Sequence, residues 1–268
     1  MRIVVFFCFL LLGAYCKSSH NGSGATEISE LFDWDADKAQ QHLQVLTQAP
    51  HPMGSARQEE LANYLVKEAK LLGLDTQLDP FTASVPDPAA LAGQTSVMQV
   101  LSLDLSARNV LARLKANAGD CVILLGSHYD SKRLENGISV GANDSGSSSV
   151  ALLEILRNLQ KPELKRRLPC DVLAVWFDAE EAYLKDWYDG ETQHPLRRPD
   201  HLYGSQHAAQ QLSQCGQNQC LPKAWGGSPA KAMILLDMVG RPKLTLTSDT
   251  YSDPKLLQLA KNLDRELF

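Results

Sequence analysis

Three apolar runs, each followed by a histidine or by acidic residues, are the feature that most constrains the fold of this chain. The runs are residues 121–126, 171–177 and 232–236, and the residues that follow them include His128, Glu180, Glu181 and Asp237. Short continuous hydrophobic runs rich in branched side chains are typical of buried strands. Because functional side chains of α/β proteins lie where parallel strands end, we expect these residues to meet at one edge of a sheet.

Helical patterns alternate with these strands and predict an α/β fold. Apolar residues recur at helical spacing in residues 35–48, 56–72, 147–159, 205–212 and 253–267. Further strands are predicted at residues 74–78, 95–103 and 109–114, and the Pro- and Gly-containing residues 80–93 are predicted to form a loop. Strands that alternate with helices indicate a mixed, mostly parallel central sheet with helices on both faces.

The composition favours one globular domain and gives no sign of a nucleic-acid-binding surface. The 268 residues carry a formal net charge of −5, and 44% of them are hydrophobic. A chain of this length can bury one substantial core, so residues 30–268 are assigned to a single α/β domain. Nucleic-acid-binding domains are usually basic, whereas the one basic segment noted here, residues 161–167, is short and interrupted.

The N-terminus has the pattern of a secretory signal peptide. Arg2 precedes an almost purely apolar stretch that ends at Ala14, and small residues flank Tyr15. Because the stretch is too short to span a membrane, we predict a signal peptide at residues 1–16, a secreted or periplasmic protein and no membrane span. Acylation of Cys16 is less favoured, since bulky Tyr15 precedes it. Residues 17–29 are rich in Ser, Gly and Asn and are predicted to be a disordered linker.

Four cysteines remain after the signal region. Cys215 and Cys220 lie five residues apart in a polar segment and are the favoured disulfide pair of an exported protein. Cys121 and Cys170 each stand at the start of an apolar strand. We interpret these two as buried thiols, because no activating group is near either in the sequence.

The residues at the strand ends have the chemistry of a zinc site. Catalytic zinc is held by imidazole and carboxylate ligands and keeps one position open for water or substrate. We predict that Asp144 and Glu181 bind metal, joined by His128 and Asp237 if two ions are present. Asp130, two residues after His128, is placed to orient the imidazole without binding metal itself.

Proton transfer is assigned to Glu180. The side chains of adjacent residues diverge, so Glu181 can bind the metal while Glu180 faces the substrate. A carboxylate beside a metal-bound water is a natural proton shuttle. Four other histidines are predicted to have no role in the site: His51, His194, His201 and His207.

Five motifs in a fixed order resemble the zinc-dependent aminopeptidase and glutaminyl cyclase superfamily. They are Ser127-His128-Tyr129-Asp130-Ser131-Lys132, Gly141-Ala142-Asn143-Asp144-Ser145, Phe177-Asp178-Ala179-Glu180-Glu181-Ala182-Tyr183, Leu202-Tyr203-Gly204-Ser205-Gln206-His207 and Leu235-Leu236-Asp237-Met238-Val239-Gly240. The resemblance extends from about residue 30 to residue 245. It implies the α/β fold of zinc exopeptidases and glutaminyl cyclases, bound zinc, and peptide or protein N-termini as substrates.

The resemblance leaves two activities open. In the aminopeptidases two zinc ions bind, which implies Asp144 as the bridging ligand and His128, Glu181 and Asp237 as further ligands. In the glutaminyl cyclases an N-terminal glutamine becomes pyroglutamate with release of ammonia, and one zinc suffices. That branch implies Asp144 and Glu181 as zinc ligands, Glu180 as general acid/base and Asp237 as a hydrogen-bonding group of the site.

Several residues favour the cyclase branch. The sequence at residues 128–132 is the cyclase form of its motif, and the segment after the acid pair implies that Trp187 lines the substrate pocket. In contrast, residues 143–146 are equally similar to the peptidases, and Ser127 stands where animal cyclases carry a disulfide cysteine. The superfamily's last zinc ligand is a C-terminal histidine, whereas the last histidine here is His207. We therefore expect a C-terminally incomplete domain, with an inactive truncated relic as a further alternative.

Overall fold

The computed structural model describes residues 30–89, 102–117, 119–135, 137–189, 198–242, 244 and 251–267. The predicted signal peptide, the linker at residues 17–29 and Cys16 lie outside these residues, as do His194 and most of the predicted strand at residues 95–103. Within the described ranges, the helices are all too short or too polar to cross a membrane.

Helices and strands alternate along the second half of the chain, as predicted. The helices are α1 (Ala36–Leu46), α2 (Ala56–Leu71), α3 (Ser148–Leu159), α4 (Pro162–Lys165), α5 (Tyr203–Gln211) and α6 (Pro254–Leu267). The strands are β1 (Asp75–Pro86), β2 (Ser102–Leu114), β3 (Val122–His128), β4 (Asp171–Phe177), β5 (Ser213–Cys215), β6 (Asn218–Cys220) and β7 (Pro229–Leu235). A π-helical turn, Ala142–Ser147, leads into α3, and a 3₁₀ turn, Lys223–Trp225, precedes β7.

The seven strands form one mixed sheet in the order β1-β2-β4-β3-β7-β6-β5. The two pairs that contain β3 are parallel, and the outer pairs are antiparallel. The predicted mixed α/β sheet is therefore confirmed, but it is not mostly parallel, because its parallel part is confined to the three central strands β4, β3 and β7. Those three strands are the ones that the apolar runs predicted.

Both faces of the sheet are covered. Every residue of β3 and β4 is buried, and alternate side chains enter two separate cores. On one face Ile123 and Leu125 pack in a core with helices α1, α2, α3 and α6. On the other face Val122 and Leu124 belong to a smaller core that contains Ala208 of α5 and Trp225. Two-sided burial explains why these strands are continuous hydrophobic runs instead of alternating ones.

Strand β1 corrects the predicted loop at residues 80–93. The strand continues through Pro80 as far as Pro86, and Pro80 lies opposite Arg108 of β2. Because β1 is the outermost strand, its free edge tolerates a residue without a backbone N–H. The prolines therefore indicated an edge strand here and not a loop.

The disulfides confirm one cysteine prediction and overturn the other. Cys215 and Cys220 are bonded, as predicted, and join the hairpin formed by β5 and β6. Cys121 and Cys170 were predicted to be buried thiols, but they form a second disulfide, with Cα atoms 4.8 Å apart. Both cysteines precede parallel neighbouring strands, so the sheet places them side by side although 49 residues separate them in sequence.

Candidate metal centre

The carboxyl ends of the three parallel strands bring the predicted site residues together. His128 is the last residue of β3, and Asp178 follows β4 directly. Asp237 follows β7, the other neighbour of β3. Asp144 comes from the π-helical turn before α3, where the Asp144–Ser145 peptide bond is cis. Four separate segments thus supply the side chains of one cluster.

His128 lies at the centre of this cluster. Its Nε2 atom is 2.8 Å from Asp144 Oδ1, 3.7 Å from Asp237 Oδ1 and 3.8 Å from Glu180 Oε2. The imidazole is buried, whereas the side chains of Asp144 and Asp237 are 44% and 43% exposed. The histidine therefore forms the floor of the site, and the two aspartates stand between it and the solvent.

Three of these residues are arranged as a metal site. One ligand atom from each of His128, Asp144 and Asp237 lies within 4.8 Å of the other two. One imidazole nitrogen and two carboxylate oxygens form a donor set that zinc accepts, and the exposed side leaves room for a further ligand. The residues present therefore fit a zinc ion. Glu181, which was predicted to be a ligand, is not one of the three residues of this group.

Asp130 organises both the histidine and the acid pair. Its fully buried carboxylate accepts hydrogen bonds from the backbone N–H groups of Glu180, at 3.0 Å, and Glu181, at 3.1 Å. The same carboxylate lies 3.4 Å from Nδ1 of His128, which is buried without a hydrogen-bond partner among the described residues. A carboxylate on the Nδ1 side of an imidazole leaves Nε2 free for a metal, which is the role predicted for Asp130.

The electrostatics of the cluster shift the pKa values of its members. Burial alone would lower the pKa of the His128 imidazole, but Asp130, Asp144 and Asp237 raise that pKa well above its usual value. Burial and neighbouring carboxylates raise the pKa of Glu180 to about 7 and that of Glu181 to about 8. The cluster holds more negative charge than its surroundings neutralise, so a divalent cation would complement it.

A buried polar layer behind the acid pair was not predicted. Asn109 accepts a hydrogen bond from the backbone N–H of Asp178 and donates to Asp79 and to the carbonyl of Gly204. Gly204 N–H donates to the Asp178 carbonyl, and a Cβ atom at Gly204 would overlap that oxygen. The carboxylate of Asp178 accepts hydrogen bonds from Tyr129 Oη and from the Arg108 N–H. The only sign of this role in the sequence is that Asn109 is a polar residue at the start of a predicted, otherwise apolar strand.

Among the described residues, Trp187, His51, His201 and His207 lie outside the three-residue metal group. Trp187 is 44% exposed and stacks on His201, and its role in substrate binding remains a prediction. His51 is buried and exchanges two hydrogen bonds with Ser131, so it packs beside the segment that follows Asp130. The Nε2 atom of His207 is 3.3 Å from Asp79 on the far side of the Asn109 layer.

Comparison with known proteins finds similar proteins that carry names from both branches of the resemblance. A mouse (Mus musculus) protein named glutaminyl-peptide cyclotransferase-like protein is 28% identical over 226 residues, which are 81% of this chain and 51% of the mouse protein. The chain thus spans about half the length of that relative. Two solved structures share the fold: a glutaminyl cyclase from Macrostomum lignano and a Zn-dependent exopeptidase from Parabacteroides distasonis. Both have a TM-score of 0.57 and 22% sequence identity. The match to the cyclase covers 83% of this chain and 58% of the cyclase chain, and the match to the exopeptidase covers 81% of this chain and 65% of the exopeptidase chain.

A family model agrees with these similarities. The model of peptidase family M28 matches residues 109–266, which include β3, β4, β7 and every predicted site residue. The match contains more than half of the chain and all of the segments that meet at His128. The sequence motifs, the mixed sheet and the cluster at its carboxyl edge agree with this match. The chain belongs to peptidase family M28.

Proposed function

We propose that this chain is a zinc-dependent glutaminyl-peptide cyclotransferase, which converts an N-terminal glutamine of a peptide or protein to pyroglutamate. The observation that carries the proposal is the position of Glu180, 3.8 Å from His128 Nε2 and half-buried at the metal cluster. A carboxylate in this position can both accept and donate a proton beside a bound substrate. The name of the mouse relative supports the same activity.

Zinc would be held by carboxylates and an imidazole of this site. We assign Asp144 and Glu181 as ligands, and His128 as a ligand where a second ion binds. When bound, zinc supplies a Lewis acid that polarises the side-chain amide carbonyl of the substrate. Asp130 keeps the backbone of Glu180 and Glu181 in place for these roles.

Glu180 would carry the proton of the reaction. The nitrogen of the N-terminal amine attacks the side-chain amide carbon of the glutamine, and a new C–N bond closes the ring. The bond from that carbon to the amide nitrogen breaks. Glu180 takes the proton that the attacking amine loses and delivers it to the leaving ammonia, so its own protonation state is restored.

Asp237 and Trp187 would bind the substrate. The partly exposed carboxylate of Asp237 is assigned a hydrogen bond to the N-terminal amine, which orients the attacking nitrogen. The indole of Trp187 is assigned contacts with the first residue of the peptide. These roles separate the group that moves the proton from the groups that position the substrate.

A zinc aminopeptidase is the second candidate function, and a specific observation favours it. His128, Asp144 and Asp237 already lie close enough together to share a metal ion without Glu181. If Glu181 belongs to a second ion bridged by Asp144, the site would hold two zinc ions and activate water to release an N-terminal residue. The two candidates therefore differ in zinc content as well as in product.

The test compares products and zinc content. The purified protein, with its zinc measured by elemental analysis, is incubated with a Gln-initiated peptide and with a Leu-initiated peptide of otherwise equal sequence. Pyroglutamate and ammonia from the first peptide, abolished by a chelator and restored by zinc, are the expected result. Free leucine from the second peptide, with two zinc ions per chain, would replace the cyclase by the aminopeptidase.

A further inference from the structure

The indole of Trp187 rests on the imidazole of His201. The two rings are nearly parallel, with an interplanar angle of 17° and ring centroids 4.0 Å apart. Trp187 is 44% exposed, whereas His201 is only 5% exposed. His201 therefore supports the indole from the protein side and leaves part of the indole surface open to a ligand.

His201 itself is held in place by polar contacts. Its Nε2 atom lies 2.8 Å from Asp189 Oδ1, and its carbonyl accepts a hydrogen bond from Gln206 Nε2 of α5. The Nδ1 atom is buried and has no hydrogen-bond partner in the described part of the chain. The contacts with Asp189 and Gln206 thus hold the imidazole in place against the indole.

The backbone on both sides of Trp187 is attached to Asp200. The fully buried Asp200 carboxylate accepts hydrogen bonds from the Leu184 N–H, at 2.7 Å, and from Tyr203 Oη, at 2.7 Å. The backbone N–H of Asp200 donates to the Tyr188 carbonyl at 3.1 Å. The chain is thus fixed before and after Trp187, and the imidazole of His201 is a surface against which the indole packs.

This arrangement is tied to the acid pair. Leu202, the residue after His201, donates its N–H to the Glu180 carbonyl at 2.8 Å. On the other side of Trp187, Lys132 Nζ donates to the Leu184 carbonyl at 2.8 Å. A backbone hydrogen bond thus connects the segment that contains His201 to Glu180, and the indole of Trp187 packs on that segment.

We propose that His201 is a positioning residue, which holds the Trp187 indole in place to bind the N-terminal residue of a peptide substrate. The inference rests on the proposed function, because it takes Trp187 as part of the substrate pocket. His201 does not touch the reacting groups, so it sets the affinity for the peptide and leaves the chemical step unchanged. The ligand class is a peptide whose first side chain presents a planar amide or apolar surface to the indole.

The first test is a double-mutant cycle on the zinc-loaded protein with a Gln-initiated peptide. His201→Ala removes the supporting ring, and His201→Phe keeps a ring of similar width without the hydrogen bond to Asp189. His201→Ala should raise KM about two- to ten-fold with kcat almost unchanged, and His201→Phe should restore most of the affinity. In a Trp187→Ala background, His201→Ala should have no further effect. Independent, multiplicative effects of the two substitutions on KM would overturn the proposal.

The second test needs no catalytic activity. Acrylamide quenching of Trp187 is measured as the difference between the protein and its Trp187→Phe variant, and the dissociation constant of the peptide is measured on the same samples. His201→Ala should increase the quenching and weaken peptide binding, whereas His201→Phe should leave both near the original values. Unchanged quenching in His201→Ala would overturn the proposal. A protein that turns over no peptide but shows these changes would overturn the proposed activity alone.

Discussion

The two ends of strands β3 and β4 differ in how their charged side chains are paired. At the amino ends, the Asp171 carboxylate accepts a hydrogen bond from Arg113 Nε at 2.8 Å and one from the Ala116 N–H at 2.8 Å. The nearby disulfide joins Cys121 to Cys170, the residues just before the two strands. The buried charge of Asp171 at this end therefore has a partner of opposite sign.

At the carboxyl ends, the same strands carry an excess of negative charge. Four carboxylates lie within 4 Å of the imidazole of His128, and they belong to Asp130, Asp144, Glu180 and Asp237. Uncompensated charge in a partly buried site costs free energy, which the rest of the fold must offset. One end of these strands therefore contributes stability, while the other end carries negative charge that a bound cation would complement.

The largest expected effect concerns catalysis at the carboxyl end. Glu180→Gln keeps the shape of the side chain but removes its ability to carry a proton. Peptide turnover should fall about 10²- to 10⁴-fold, with no loss of melting temperature, because the substitution also removes a like charge. Glu163→Gln, at an exposed glutamate of α4, is the matched control and should keep full activity. Undiminished turnover by Glu180→Gln would remove Glu180 from the mechanism.

A large effect on stability is expected at the amino end. Arg113→Met leaves the buried Asp171 carboxylate without its ion pair, which should lower the free energy of unfolding by about 3–5 kcal/mol in urea titrations. The matched control is Lys115→Met, whose ion pair with Asp75 is exposed, and it should change stability little. If both variants were equally stable, the contrast between the two ends would be wrong.

The two disulfides are expected to contribute unequally to stability, with the larger contribution from Cys121–Cys170 at the amino ends of β3 and β4. Replacing both Cys121 and Cys170 by Ser should destabilise the protein by about 2–4 kcal/mol, because their bond closes a long loop. The Cys215–Cys220 bond closes a loop of only a few residues, so the equivalent double substitution should cost less. Thermal unfolding of the two double variants under non-reducing conditions measures the difference. A greater loss from the shorter loop would contradict this ranking.

A pH dependence of stability is also expected for the zinc-free protein. The folded-state pKa values of Glu180 and Glu181, about 7 and about 8, lie above the ordinary glutamate value of 4.5. Between these values the folded protein binds more protons than the unfolded chain, so stability present below pH 4.5 is lost as pH rises to about 8.

Melting temperatures in chelator across this range measure the loss. A variant with both Glu180→Gln and Glu181→Gln should show a weaker pH dependence, and added zinc should raise the melting temperature of the original protein most at the alkaline end. Equal zinc stabilisation at pH 5 and pH 8 would show that the excess charge at this end does not govern metal binding.

Much of the site could be predicted because its residues follow strands in the sequence. The apolar runs predicted β3, β4 and β7, and His128, Glu180 and Asp237 were selected because each comes at or just after the end of one run. Periodicity is a local property, so the helix patterns also led to helices close to the predicted bounds. Asp144 was also predicted as a ligand, although no strand ends directly before it, and the π-helical turn before α3 brings it to His128.

Other features depend on contacts between distant segments. Cys121 and Cys170 form a disulfide because β3 and β4 are parallel neighbours, a pairing that hydrophobicity alone does not specify. Pro80 lies within a strand because β1 is at the edge of the sheet. The support of Trp187 by His201, which was predicted to have no role, results from a loop that returns to the acid pair.

The sequence by itself determined which segments become strands and helices, and that a histidine and several carboxylates follow the strands. Local hydrophobic patterning and chain order carry that information. Only the tertiary structure decided that β3 lies between β4 and β7, and therefore that His128 becomes the centre of the cluster. It also decided that Asp130 holds the acid pair and that Asp237, more than Glu181, shares the immediate surroundings of His128 and Asp144. The physical reason is that strand order and side-chain distances arise from packing of the whole sheet, which no short stretch of sequence encodes.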